Sequence, residues 1–289
     1  MAFAKELGRR MKKNLCFMML ILFLLNAGCT NLFFYPEKEF IDNPAAKKLA
    51  PLDVYFKTPD RLKLHGWFFQ AKQEARATIL FIHGNARNLS VHAGSVLWLV
   101  DEGFNVFIFD YRGYGRSEGK PGIDGIHLDA EAALETLLTL PGVNKDRIVV
   151  FGHSLGGAVA VYTAANTPYK DLIKTLVIDS AFSGYQLIAQ EKLAEDFVTW
   201  PLQYPLSVLF INDYYSPVRW IKKVSPVPLL ILHTDKDEVA PAHHSRILYD
   251  AALQPKELWQ AAVKGHVSSF TDESVRKKFI MYISNVFQK

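Results

Sequence analysis

Val149-Val150-Phe151-Gly152-His153-Ser154-Leu155-Gly156-Gly157-Ala158-Val159-Ala160 is the stretch from which the fold of this chain is read. An apolar, β-type run ends in Gly-His-Ser-Leu-Gly and passes at once into a small-residue pattern of helical type. Strand, sharp turn and helix, in that order, form the context in which Gly-x-Ser-x-Gly lifts a serine above a sheet edge. The turn strains the backbone at Ser154 so that Oγ projects outward. A Cβ at Gly152 or Gly156 would collide with the adjoining strand or helix. The five-residue motif is common by itself; its two flanks carry the reading.

The same rhythm extends in both directions. Thr78-Ile79-Leu80-Phe81-Ile82 and Phe104-Asn105-Val106-Phe107-Ile108-Phe109 are continuous apolar runs, the mark of strands buried on both faces. Helices are predicted over 89–101 and over Asp129–Leu140, the second with apolar residues at 130, 133, 134, 137 and 138 before Pro141-Gly142 stops it. Downstream, Thr175–Asp179, Pro228–His233 and Lys256–Ala262 read as strands, with helices over Ala242–Leu253 and Ser269–Phe287. Nearer the start, Asp53–Lys57 and Leu62–Phe69 flank Pro59-Asp60 and suit an antiparallel edge hairpin. Repeated strand–helix units predict an α/β fold: a mostly parallel central sheet with helices on both faces and its site beyond the strands' C-terminal ends. The alternation breaks between about Ala181 and Val224, where aromatics and prolines crowd together. That segment is too long for a simple loop and predicts a small helical cap over about 183–223.

Serine is a poor nucleophile without a base in reach and an acid orienting that base. Downstream of Ser154, Asp237 follows the strand 228–233 in His-Thr-Asp-Lys-Asp-Glu-Val-Ala-Pro, and His266 follows the strand 256–262 in Val-Lys-Gly-His-Val. The chain order Ser, Asp, His is the one this class of fold uses, and all three would meet within hydrogen-bond reach at one sheet edge. Asp235 and Asp179 also follow strands and are alternatives for the acid. His243 and His244, in the first turn of a predicted helix, read as solvated, and His83 and His153 as packing or hydrogen-bonding groups. Two backbone amides are needed for the oxyanion: Leu155 follows the serine, and Asn85 lies in the loop after strand 78–82.

The chain has 289 residues, 49% hydrophobic and 21% charged, which suits one large domain running from residue 52 to 289. Lys5, Arg9, Arg10, Lys12 and Lys13, less Glu6, account for all of the formal net charge of +4, so no basic stripe for nucleic acid remains. Those basic residues precede eleven apolar ones, Leu15–Leu25, and then Asn26-Ala27-Gly28-Cys29. The run falls short of the ~20 residues of a membrane span and fits a signal-peptide core, residues 1–28, with 29–51 as a linker; the alternative is that Leu15–Leu25 stays as an uncleaved anchor and Cys29 is incidental. Met11 is an alternative start. Of two cysteines, Cys16 lies in the segment to be removed and Cys29 at the cut, leaving the body without thiol or disulfide.

His-Gly-Asn-Ala at 83–86, Asp-Tyr-Arg-Gly-Tyr-Gly-Arg-Ser at 110–117, Gly-His-Ser-Leu-Gly-Gly at 152–157, the Asp237 loop and Gly265-His266 together resemble the α/β-hydrolase superfamily. The nearest branch has small caps and is related to eukaryotic protein depalmitoylases and S33 serine aminopeptidases. The resemblance implies a serine hydrolase that passes through an acyl-enzyme, with no metal or organic cofactor, and an Asp110–Gly115 turn that shapes the site. The expected substrate is a carboxylic ester or thioester. The alternatives are an S33-like aminopeptidase and an inactive binding protein on a hydrolase fold. Gly28-Cys29 is similar to a bacterial lipoprotein signal, although Asn26 stands where that pattern has leucine. It implies a lipidated Cys29 that holds the protein at the periplasmic face of the cell envelope, where Thr30 would allow outer-membrane sorting. The protein itself is expected to be a monomer.

Overall fold

A computed structural model describes residues 33–288. The predicted signal segment, residues 1–28, and Cys29 lie outside the described residues. In chain order the elements are β1 (Tyr35–Pro36), α1 (Pro44–Leu49), β2 (Leu52–Lys57), β3 (Lys63–Phe69), β4 (Thr78–Ile82), β5 (Ala86–Arg87), α2 (Leu89–His92), α3 (Leu97–Asp101) and β6 (Asn105–Asp110). Then follow α4 (Ile123–Leu137), β7 (Ile148–His153), α5 (Leu155–Asn166), β8 (Ile173–Asp179), α6 (Tyr185–Ala194), α7 (Gln203–Phe210), α8 (Pro217–Trp220), β9 (Leu229–Lys236), α9 (His243–Ala251), β10 (Lys256–Lys264) and α10 (Glu273–Val286).

Eight strands form the main sheet in the order β10-β9-β8-β7-β4-β6-β3-β2. The pairings from β10 to β6 are parallel, and the β2–β3 hairpin closes the far edge antiparallel. The continuous apolar runs occupy the middle, where every residue of β4, β6 and β7 is buried. Successive side chains alternate between faces. Leu80, Ile82, Phe107, Phe109 and Val150 pack with Ile126, Leu134 and Val159 of α4 and α5 on one side. Ile79, Phe81, Val106, Ile108 and Val149 pack with Leu99, Phe279 and Ile283 of α3 and α10 on the other.

Three expectations need correction. The helix predicted over 89–101 is split: α2 gives way to a 3-10 turn at Ala93–Ser95 before α3, where Gly94-Ser95 weakens helix propensity. The helix predicted from Asp129 starts at Ile123, because buried His127 and Asp129 broke the apolar pattern. The stretch 29–51 read as a linker is, from Phe33 on, part of the packed body. Phe34 and Ala46 are buried, and β1 pairs with β5 in a second, two-stranded sheet.

Candidate active site

Between β7 and α5 the backbone of Ser154 has φ 53° and ψ −117°, a left-handed conformation for a residue with a side chain. Its own N–H donates to Asp179 O at 2.9 Å, pinning the turn to the end of β8. A Cβ on Gly156 would lie 1.9 Å from Ile82 O, and one on Gly152 would lie 2.3 Å from Gly156 O. Both positions are therefore closed to any larger residue. Ser154 Oγ makes no hydrogen bond to any described residue, and Ser154 lines a cavity of about 480 Å³.

Asn85 and Leu155 line the same cavity. Among the described residues neither backbone amide donates to another group, leaving two free N–H groups beside the serine. The Asp110–Gly115 turn holds the first in place. Tyr114 Oη donates to Asn85 O at 2.5 Å, and Tyr111 Oη donates to His83 O at 2.8 Å. Both tyrosines are buried, and burial raises each phenol well above its ordinary pKa, so both remain donors at neutral pH. Leu89 N–H donates to Asp110 Oδ1 at 2.7 Å, and Arg112 forks onto buried Asp129 at 2.7 Å and onto Asp60 at 2.8 Å.

Asp237 and His266 meet directly. His266 Nδ1 lies 2.7 Å from Asp237 Oδ2 and 2.9 Å from Oδ1, and the Val239 and Ala240 amides each donate to Oδ1 at 2.9 Å. Burial works to raise the Asp237 pKa, but the His266 contact and these amides outweigh it and hold the carboxyl down at about 2. The His266 loop bends through positive φ at Gly265 (102°) and Val267 (49°), and Val267 N–H donates to Ser180 Oγ at 3.2 Å. Ser154 and Val267 are thus tied to the consecutive residues 179 and 180. No hydrogen bond joins His266 to Ser154, however, so one of the two contacts expected of the three residues is not made. Contacts of this kind commonly tighten around substrate.

The alternatives fall into other roles. Asp179 is buried under the site, bonded to Ser269 Oγ at 2.8 Å and Ser180 Oγ at 3.2 Å, and burial pushes its carboxyl up to about 6. Asp235 is exposed. His83 is buried and stacked on His92, with ring centroids 4.7 Å apart, and His153 packs edge-on against Phe81 and Phe151. His244 corrects the solvated reading: it is buried, with Nδ1 2.9 Å from Ser183 Oγ and Nε2 3.0 Å from Glu191. His243, half-exposed, meets the other Glu191 oxygen at 2.8 Å, so the pair staples α6 to α9. Among the described residues these three are the one group whose ligand-type atoms lie within 4.8 Å of one another, and Glu191 engages both imidazoles with its two oxygens.

Two contributors went unnoticed in the sequence. Phe33 lines the cavity and its carbonyl accepts from Asn85 Nδ2 at 2.6 Å, and Tyr35 lines the cavity beside it. The aromatic patch 33–35 was their only signal. From the cap come apolar lining residues, including Ile188 and Leu193 on α6 and Leu206 and Phe210 on α7, with Lys192 the one charged residue of the lining among the described residues.

Comparison with known proteins agrees with this fold. The family model described as "Serine aminopeptidase, S33" matches residues 73–203. The chain is 35% identical over 279 residues to the protein YfhR of Salmonella typhi, covering 91% of this chain and 90% of that one. It is 34% identical over 223 residues to the α/β hydrolase domain-containing protein WAV2 of Arabidopsis thaliana, covering 75% and 71%. Among solved structures, the esterase Pf2001 of Pyrococcus furiosus superposes with a TM-score of 0.69 at 23% identity, covering 88% of this chain and 97% of that one. The α/β hydrolase GrgF from Penicillium sp. sh18 does so with a TM-score of 0.67 at 20% identity, covering 83% and 100%. Strand order, serine turn and sequence kinship converge: the chain belongs to the α/β-hydrolase superfamily, and its residues 73–203 are similar to the S33 model.

Proposed function

We propose that this hydrolase cleaves carboxylic esters or thioesters through an acyl-enzyme on Ser154. The observation that carries the reading is the convergence on one apolar cavity of an unbonded serine hydroxyl and two unengaged amides. An Asp–His pair stands on neighbouring loops. Asp237 accepts from His266 Nδ1–H, which leaves Nε2 as the acceptor. On substrate binding, Nε2 takes the Ser154 proton while Oγ attacks the acyl carbonyl. The oxyanion is received by the Asn85 and Leu155 amides, which need no reorganisation to stabilise it. As the C–O or C–S bond breaks, Nε2–H protonates the departing alkoxide or thiolate. Water then attacks the acyl-enzyme by the same route, restoring serine and releasing the acid.

The aminopeptidase alternative draws on the S33 match and would require acidic groups to hold a substrate amine. Glu191, Glu195, Asp196 and Asp213 are the cap candidates, and none lines the cavity. Three of them are paired elsewhere, with His243 and His244, with Lys192 and with Arg219. An apolar wall with one lysine favours an acyl chain over an ammonium. A panel of short-chain esters, long-chain esters, thioesters and aminoacyl amides tests this. Turnover of esters or thioesters but not amides is expected, and preference for aminoacyl amides would overturn the acyl assignment. We further propose that Cys29 is lipidated and tethers the domain at the periplasmic face of the cell envelope. Labelled palmitate should enter the native chain and be absent from Cys29→Ala.

A further inference from the structure

The sixteen residues from Phe197 to Asn212 contain no Asp, Glu, Lys or Arg. A cap that did nothing but roof a cavity would be apolar inside and polar outside. This one is apolar on both sides. Leu206 and Phe210 of α7 turn inward to the cavity, while Tyr204, Val208 and Leu209 of the same helix are 65%, 63% and 66% exposed. Just ahead of α7, Phe197 is 91% and Trp200 57% exposed. Because one short helix serves both, the outer patch borders the cavity directly. A contiguous exposed apolar patch of this kind marks an interaction surface.

The start of the described chain says what covers it. Phe33 sits in the cavity wall, and Cys29 is four residues earlier, a reach of at most about 14 Å even when fully extended. Measured instead from Leu25, the last of the apolar run, the reach is at most about 28 Å. Either tether would keep the cavity, and the patch beside it, next to the bilayer. Trp200 and Tyr204 are the residue types that settle at a headgroup boundary.

We infer that the charge-free stretch of the cap is a docking surface for a lipid bilayer, through which the cavity receives acyl chains from the membrane. The inference rests on the acyl-hydrolase reading for what enters the cavity, and on the N-terminal tether alone for where the cap sits.

The test uses the full-length protein reconstituted into phosphatidylethanolamine–phosphatidylglycerol vesicles. Lipids brominated on the acyl chain should quench part of the tryptophan fluorescence, and Trp200→Phe should remove most of that quenching. In the same vesicles the double variant Phe197→Glu with Leu209→Glu should lower hydrolysis of a membrane-dissolved long-chain ester at least tenfold. Its turnover of a water-soluble short-chain ester should stay at the native rate, which shows that it folds. Equal quenching in native protein and Trp200→Phe, or vesicle turnover untouched by the double variant, overturns the docking surface. So does a native dimer that the double variant dissociates while Trp200 goes unquenched, since the patch would then serve a second copy. Absence of any ester turnover by the native protein contradicts the acyl-hydrolase reading instead, and the quenching result still decides the docking.

Discussion

Beneath the cavity, the loops after β4, β6, β7, β9 and β10 are joined by directed hydrogen bonds, two tyrosine hydroxyls holding one loop and two amides holding the Asp237 carboxylate. Above it, the cap from Phe197 to Asn212 has no charge, much of its apolar surface is exposed, and it meets the cavity through side chains of generic shape. A reacting bond demands positions fixed to fractions of an ångström, whereas an acyl chain demands apolar surface. Substitutions in the floor should therefore be severe and specific, and those in the outer cap mild and general.

The largest contrast lies at the Asp–His pair. Asp237→Asn keeps the shape but reverses the hydrogen bond that sets the His266 tautomer, and should lower kcat for a short-chain ester about 10⁴-fold. Steady-state kinetics measure it, and a loss under tenfold would detach Asp237 from the chemistry. Next comes the serine turn. Gly156→Ala drives a methyl into the Ile82 carbonyl and should destabilise the fold by about 3 kcal/mol or more in denaturant unfolding.

Tyr114→Phe is a subtler probe of the floor. It frees the Asn85 carbonyl without removing the amide that would meet the oxyanion. Removing such a donor outright costs about 10²–10³-fold, so loosening one should lower kcat about tenfold and leave KM nearly unchanged. A change in KM alone would make Tyr114 part of the binding wall instead.

Asp179 gives a pH signature. Burial raises its folded pKa from 3.8 to about 6, so its protonation favours the fold below about pH 4 and that contribution disappears as pH rises through 6. The melting temperature of Asp179→Asn should therefore gain on that of the native protein between pH 4 and 7. A constant gap would show that the buried carboxyl does not titrate there. Smallest of all, Val208→Ser on the outer face of the cap should change unfolding stability by less than about 0.5 kcal/mol.

The same contrast explains what the sequence made legible. Apolar runs such as 78–82 and 149–151 could only be central strands, and the loop positions of Ser154, Asp237 and His266 followed from them. Positions defined by long-range polar partners stayed hidden. The start of α4 is masked by buried His127 and Asp129, and the burial of His244 depends on Ser183 and Glu191, both more than fifty residues away. The part played by Phe33 and Tyr35 stayed hidden as well, since an aromatic pair in an apparent linker gives no sign of the wall it will join.

The most direct test of the whole account is covalent labelling by a fluorophosphonate, which reports only a serine whose hydroxyl is activated and whose oxyanion is received. The native protein should label stoichiometrically at Ser154, and Ser154→Ala should not label. A folded native protein that stays unlabelled, or one that labels equally well without Ser154, would contradict the central claim.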